Sequence, residues 1–136
     1  MNDADGATRE GDGKAEACEQ DLLRRELMAS GLEDWVSMAE VQQLASSLGL
    51  ADADAARQKL VLATIRSVLE DGLMEIGDLP GEDGQFPAWD GSVDSLMVRL
   101  SDRFIRHYDE PAVWDYSIWL GLTDQGERVA KTMSSD

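Results

Sequence analysis

The amino-acid sequence predicts an α+β fold that is mostly helical and carries one small antiparallel β-hairpin. Apolar residues recur every three or four positions in four long segments and in a shorter one near the C-terminal end. This is the period of helices that pack on one side. A further segment alternates apolar and polar residues, as a half-buried strand does. Glycine, proline and acidic turns separate the segments, so we expect short connections between them.

The N-terminal part of the chain divides into a polar leader and a first helix. Residues 1–14 are acidic, glycine-rich and without apolar period, so we expect a disordered acidic leader before a single domain over residues 15–136. Helical spacing begins at about Glu16 and continues to Ser30, and Gly31 favours a left-handed end to this helix. The apolar positions of the first helix are Cys18, Leu22, Leu23, Leu27 and Met28.

Two further helices follow, each with a recognisable beginning or end. Ser37 precedes Glu40 by three residues in a capping-box pattern, so the second helix is expected to begin at Ser37 and to end at Gly49. The third helix is long and reaches about Glu70. Gly72 then supplies the left-handed residue that lets the chain reverse into a strand.

A strand, a loop and a fourth helix come next. Residues 73–79 are short and extended, and residues 80–84 carry every turn signal. Ser92 can cap a fourth helix, which we expect to reach Tyr108. The apolar face of this helix consists of Val93, Met97, Leu100 and Phe104.

The clearest strand lies near the C-terminal end and forms the hairpin with residues 73–79. Apolar residues on one of its faces alternate with polar or small residues on the other. Thr123 ends this strand and can cap a last short helix with its hydroxyl. The residues of the apolar face are Trp114, Tyr116, Ile118, Leu120 and Leu122.

Two separated motifs resemble those of winged-helix proteins. In that family a recognition helix runs through a glycine into the first strand of the wing, as the segment Leu69–Ile76 does. The second wing strand ends in Leu-Thr-x-x-Gly and caps the next helix, as in Trp119–Ala130. The resemblance covers roughly residues 36–79 and 114–133 and implies a winged-helix-like fold.

The sequence departs from that family in its wing and in its third helix. The segment 80–112 is much longer than the usual wing and contains the fourth helix, so we expect a helix inserted in the wing. The third helix offers only Arg57, Lys59 and Arg66 as DNA-contacting groups, with acids at both of its ends. The resemblance is therefore carried over to the fold. A DNA-binding transcriptional regulator that uses these three residues is the alternative function.

The charge of the chain favours a protein partner over nucleic acid. The chain has 28 acidic and 12 basic residues, a formal net charge of −16, and each of four successive segments is net negative. Such a surface keeps a protein soluble, or attracts a basic partner. DNA affinity comes largely from Lys and Arg that displace counterions along phosphates, so nucleic acid is not expected as the partner. The basic groups of the third helix are also explained by surface ion pairs, for instance between Arg66 and Glu70.

The residue types exclude several kinds of site. With one cysteine and one histidine, Cys18 and His107, the chain has no disulfide framework and no cysteine-histidine zinc site. It also lacks the glycine-rich phosphate-binding motifs. We therefore expect no catalytic residues, no cofactor and no metal, and a protein that is not an enzyme. No 18-residue apolar run is present, and the acidic start is unlike a signal peptide, so a cytoplasmic location without membrane contact is expected.

Four tryptophans are the remaining candidates for contact residues. Trp89 and Trp119 belong to the core or cover it, unless they are exposed, in which case they are the best partner anchors. The sequence thus predicts a non-enzymatic, acidic protein-interaction module. It would dock on a basic partner, either as an inhibitor of the immunity-protein kind or as a mimic of DNA.

Overall fold

The computed structural model describes residues 19–50, 53–79, 85–110, 114 and 117–134. Within these residues the chain forms five helices and a three-stranded antiparallel sheet, which confirms a mostly helical α+β fold. The described part of α1 covers residues 19–33. The other elements are β1 (Val36–Ser37), α2 (Met38–Ser47), α3 (Asp54–Glu70), β2 (Met74–Gly77), α4 (Val93–Phe104), β3 (Trp119–Leu122) and α5 (Asp124–Ser134). The predicted leader over residues 1–14 and the loop over residues 80–84 lie outside the described residues.

The sheet has β3 in its centre, paired antiparallel with β1 on one side and β2 on the other. Leu120 is opposite Val36 in one ladder and opposite Ile76 in the other, and all three side chains are buried. The pairing of β2 with β3 is the predicted hairpin. Strand β1 is not predicted by the sequence, because two residues directly before a capped helix carry no alternating pattern of their own.

The strand predicted to begin at Trp114 is shorter than expected, since β3 covers only Trp119–Leu122. Trp114 has a helical backbone and is 5% exposed. Its ring stacks on Tyr108 with centroids 5.7 Å apart and meets the edge of Phe104 at 4.9 Å. The inward side of the segment was therefore predicted correctly at Trp114 and Ile118, but aromatic packing takes the place of strand pairing at its start.

The first helix does not end at Gly31, as the sequence predicted, but continues to residue 33. A Cβ atom at Gly31 would lie 2.9 Å from Cγ of Leu122. Glycine leaves room here for the Leu122 side chain of β3, and the expected left-handed helix end is wrong. The predicted start at Glu16 lies outside the described residues.

Side-chain caps begin α2, α4 and the last helix as predicted. Ser37 Oγ accepts a hydrogen bond from the backbone N–H of Glu40 at 3.2 Å, and Ser92 Oγ accepts one from Ser95 at the same distance. Thr123 Oγ1 accepts from the N–H of Gly126 at 3.0 Å. These caps satisfy N–H groups that have no partner inside the helix. The fourth helix ends at Phe104 and continues in turns rather than reaching Tyr108 as a helix.

The reversal from α3 into β2 also follows the prediction. Gly72 has a φ of 71°, and the N–H of Leu73 returns to the carbonyl of Val68 at 2.9 Å. The hydroxyl of Thr123 donates to the carbonyl of Gly72 at 2.6 Å, which ties this turn to the end of β3. The helix-glycine-strand path and the element order are compatible with the winged-helix resemblance.

One hydrophobic cluster joins all of these elements, from Leu23 on α1 to Ala130 on α5. The inserted helix α4 belongs to it, since Leu100 and Phe104 are fully buried and α4 packs against α3. The largest fully buried side chains of the whole cluster are Leu23, Leu27, Met28, Met38, Ile65, Ile76, Leu100, Phe104, Ile118 and Leu120.

We expect the substitution Gly126→Ala to destabilise the fold strongly, because a Cβ there would lie 1.8 Å from the carbonyl oxygen of Leu73. Overpacking of this kind lowers the free energy of unfolding by about 3 kcal/mol or more when the clash is with backbone. The matched control is Gly49→Ala, where φ is 67° and no atom lies within 4 Å of the new Cβ. That change should cost only about 1 kcal/mol, the left-handed penalty. Denaturant unfolding followed by circular dichroism measures both, and equal losses would contradict the prediction.

Candidate interaction surface

The three basic residues predicted on α3 have different surroundings. Nε of the half-buried Arg57 donates to the carbonyl of Leu50 at 3.3 Å. Arg66 pairs with Glu70 at 2.7 Å and also with Asp94 of α4. Lys59 is exposed and has no ion pair among the described residues. The structure therefore does not leave the three cations together as one open basic stripe.

The ion pair between Arg66 and Glu70, expected from their spacing, is present, and α4 adds a second carboxylate to it. Hydrogen bonds to Asp94 and then to Glu70 raise the pKa of the Arg66 guanidinium above its ordinary value. Two carboxylates thus already neutralise this cation. A phosphate would have to compete with them for the same donors.

Trp89 is not exposed, so the condition that would make it a partner anchor is not met. Trp89 is only 7% exposed, and its indole N–H donates to Oδ1 of Asp78 at 2.9 Å. The guanidinium of Arg99 lies 4.0 Å from the centroid of the indole ring, and that of Arg103 lies 5.2 Å from it. Both are cation–π distances.

These contacts fasten the inserted segment to the sheet. The N–H of Trp89 donates to the carbonyl of Ile76 at 2.9 Å, and Ala88 forms a bridge with Gly77. Asp78 also lies 3.6 Å from Arg103, so one carboxylate serves the indole and the arginine together. Trp89 therefore covers the core, which is the first of the two roles that the sequence allows for it.

Trp119, the other predicted anchor, is half-buried on the central strand. In the two ladders it is opposite Ser37 and Gly77, both buried. The tryptophan therefore lies in the middle of the sheet and not at a free edge.

The surface that sequence reasoning missed is the outward side of α4. Val98 is 70% exposed, and it lies one helical turn from Asp94 and one from Asp102, both exposed. Ile105, 36% exposed, follows near the C-terminal end of the helix. We call Asp94, Val98, Asp102 and Ile105 the α4 face. Its signal in the sequence was a valine that lies off the apolar stripe of its own helix.

Carboxylates dominate the rest of the described surface. Six basic side chains there are paired within 4 Å of a carboxylate: Arg24, Arg66, Arg99, Arg103, Arg106 and Lys131. Several exposed carboxylates have no such partner among the described residues: Asp21, Glu33, Asp54, Glu75, Asp90, Asp109 and Asp124. The negative excess is thus presented to solvent.

Chemistry-bearing groups are sparse in the part of the chain that the structure describes. His107 lies 3.1 Å from Glu110, and Cys18 is outside the described residues. Within the same residues, no group of three or more His, Cys, Asp or Glu side chains is placed to hold a metal ion. None of the described helices has both the length and the apolar character needed to cross a bilayer.

We expect Trp89→Ala to lower the free energy of unfolding by about 3 kcal/mol or more, the cost of removing a buried aromatic ring. If Trp89 were an exposed anchor, the same substitution would weaken partner binding and change the free energy of unfolding little. The matched control is Val98→Ala on α4, whose side chain is 70% exposed and whose loss should change stability by less than about 0.5 kcal/mol. Urea unfolding monitored by circular dichroism gives both values. A Trp89→Ala chain as stable as the control would show that the indole is not part of the core.

Comparison with known proteins adds no relative to this picture. No family model, no curated protein and no solved structure matches the chain.

Proposed function

We propose that this chain is a non-enzymatic interaction module that docks on a protein with a basic surface through the α4 face. The observation that carries the proposal is Val98, a large apolar side chain 70% exposed between Asp94 and Asp102. Each of these aspartates also pairs with an arginine, Asp94 with Arg66 and Asp102 with Arg106, so the rim around Val98 consists of ion pairs. An apolar centre with a charged rim is the usual anatomy of a protein interface.

The position of the α4 face supports this role. The opposite side of α4 is buried at Met97, Leu100 and Phe104, which holds the helix rigidly on the core. A rigid helix needs little ordering when it docks, so less of its contact energy is lost on binding. The inserted helix thus presents Val98 on a prepared surface.

Electrostatics supports a basic partner in particular. A chain of net charge −16 attracts a positively charged protein over distances beyond contact and raises its rate of association. An inhibitor of the immunity-protein kind and a mimic of DNA would both use this field, the first on a basic enzyme and the second in a nucleic-acid groove. The two roles share the same docking chemistry.

The contacts of α3 weigh against the alternative of a DNA-binding regulator. Arg66 is paired with two carboxylates and Arg57 binds a backbone carbonyl, so within the part of the chain that the structure describes only Lys59 of the three has no such partner. That alternative is supported by the winged-helix resemblance, and a fold by itself does not specify an activity.

We expect an immobilised sample of the full chain to retain a basic protein from a lysate of its own cells. The substitution Val98→Arg should weaken retention about tenfold or more, because it removes the apolar contact and places a positive charge against a basic surface. Quantitative mass spectrometry of the retained proteins, followed by titration calorimetry of the purified partner, measures the loss.

The control for this experiment is Leu22→Arg, which adds the same charge at an exposed apolar residue of α1. It should leave the retained basic protein unchanged. If Val98→Arg and Leu22→Arg behave alike, the partner does not dock on the α4 face and the proposal is wrong.

We expect no binding of the chain to random duplex DNA, even at low salt, because carboxylates dominate the surface and occupy Arg66. Fluorescence anisotropy with a labelled duplex measures this. Binding that falls steeply as salt rises, and that is lost on charge reversal at Lys59 and Arg66, would instead support the regulator.

A further inference from the structure

A second surface, distinct from the α4 face, lies between the first and last helices. A groove of about 520 Å³ opens there, and apolar residues of both helices line it. Leu22 is 39% exposed and Val129 is 37% exposed, and Met28 and Met133 lie deeper. Two exposed large apolar side chains from neighbouring helices thus meet at one open groove.

The groove also carries two charges of opposite sign. Asp21 and Arg25 are exposed, one helical turn apart on α1, and neither forms an ion pair among the described residues. Arg24, between them in sequence, also lines the groove, but its guanidinium is paired with Asp71 at 2.7 Å and donates to Ser67. Most of the described surface is acidic, but in this groove the negative charge of Asp21 is offset by the positive charge of Arg25.

We propose that a second copy of this chain covers the groove, with the two α1 helices antiparallel across a twofold axis. A twofold interface brings the same patch of both copies together, so the patch must be complementary to itself. Asp21 and Arg25 satisfy this condition, because an antiparallel crossing sets Asp21 of each copy against Arg25 of the other. Leu22 and Val129 of both copies then bury each other between the two ion pairs.

Charge also decides between the occupants of this groove. A strongly basic partner of the kind proposed for the α4 face would meet Arg25 here. A uniformly acidic partner would meet Asp21. A second copy supplies both signs at the matching positions. The repulsion between two net-negative chains is screened beyond about 8 Å at physiological salt, whereas the paired charges in the interface are in contact.

The test is a charge swap measured by sedimentation equilibrium on the full chain at physiological salt. The wild type should sediment as a dimer. Asp21→Arg and Arg25→Asp should each weaken self-association about tenfold or more, because each sets like charges against one another twice. A mixture of the two variants should recover a heterodimer, since every crossed pair is then again of opposite sign.

The heterodimer is the decisive outcome, because no effect within one chain can produce it. Circular dichroism of both variants checks that α1 remains folded. Val98→Arg, on the α4 face, should leave the dimer intact, while Leu22→Arg should disrupt it, so failure of this proposal and failure of the proposed function can be distinguished. A wild type that is monomeric at all concentrations, as it would be if its own leader or another protein covers the groove, overturns the proposal. A mixture that fails to associate also overturns it.

Discussion

The close approach of backbone around β3 is the constraint on which the rest of the structure depends. A Cβ at Gly126 would strike the carbonyl of Leu73, and one at Gly31 would strike Leu122. A side chain at Gly121 would meet Trp35 at 2.9 Å. Glycine lets α1 approach the central strand at Gly31 and lets α5 approach the turn before β2 at Gly126. Leu22 of α1 and Val129 of α5 then line one groove.

The inserted helix follows from the same sheet. The chain leaves β2 and must return to β3, its antiparallel neighbour, and on the way it makes α4. Polar contacts hold α4 in place on two sides. Next to the sheet, Arg99 lies over the ring of Trp89 and Arg103 pairs with Asp78. Next to α3, Asp94 pairs with Arg66. The ion pair that holds α4 beside α3 also occupies Arg66, one of the three cations of the helix that the winged-helix resemblance associates with DNA.

Much of the local structure could be predicted from the sequence because local chemistry determines it. The caps at Ser37, Ser92 and Thr123 and the left-handed Gly72 need only residues within one turn, and all are present. The failures concern long-range packing. Gly31 has the same local signal as a helix end, but its neighbour across the fold is Leu122.

The candidate surfaces were harder to predict for the same reason. Exposure of Trp89 depends on Arg99 and Asp78, which come from other elements, so aromatic content alone could not separate an anchor from a core residue. Val98 could have been found from its place off the apolar stripe. Exposed ion pairs contribute little to stability, about 1 kcal/mol or less each. The excess of acidic residues is therefore not explained by the stability of the fold. Solubility does not explain a particular binding place either, because any even distribution of charge would keep the protein soluble. The electric field of the acidic surface attracts a basic partner but does not select the place where it docks. The exposed side chain of Val98 selects that place, because burying it requires contact at this one position.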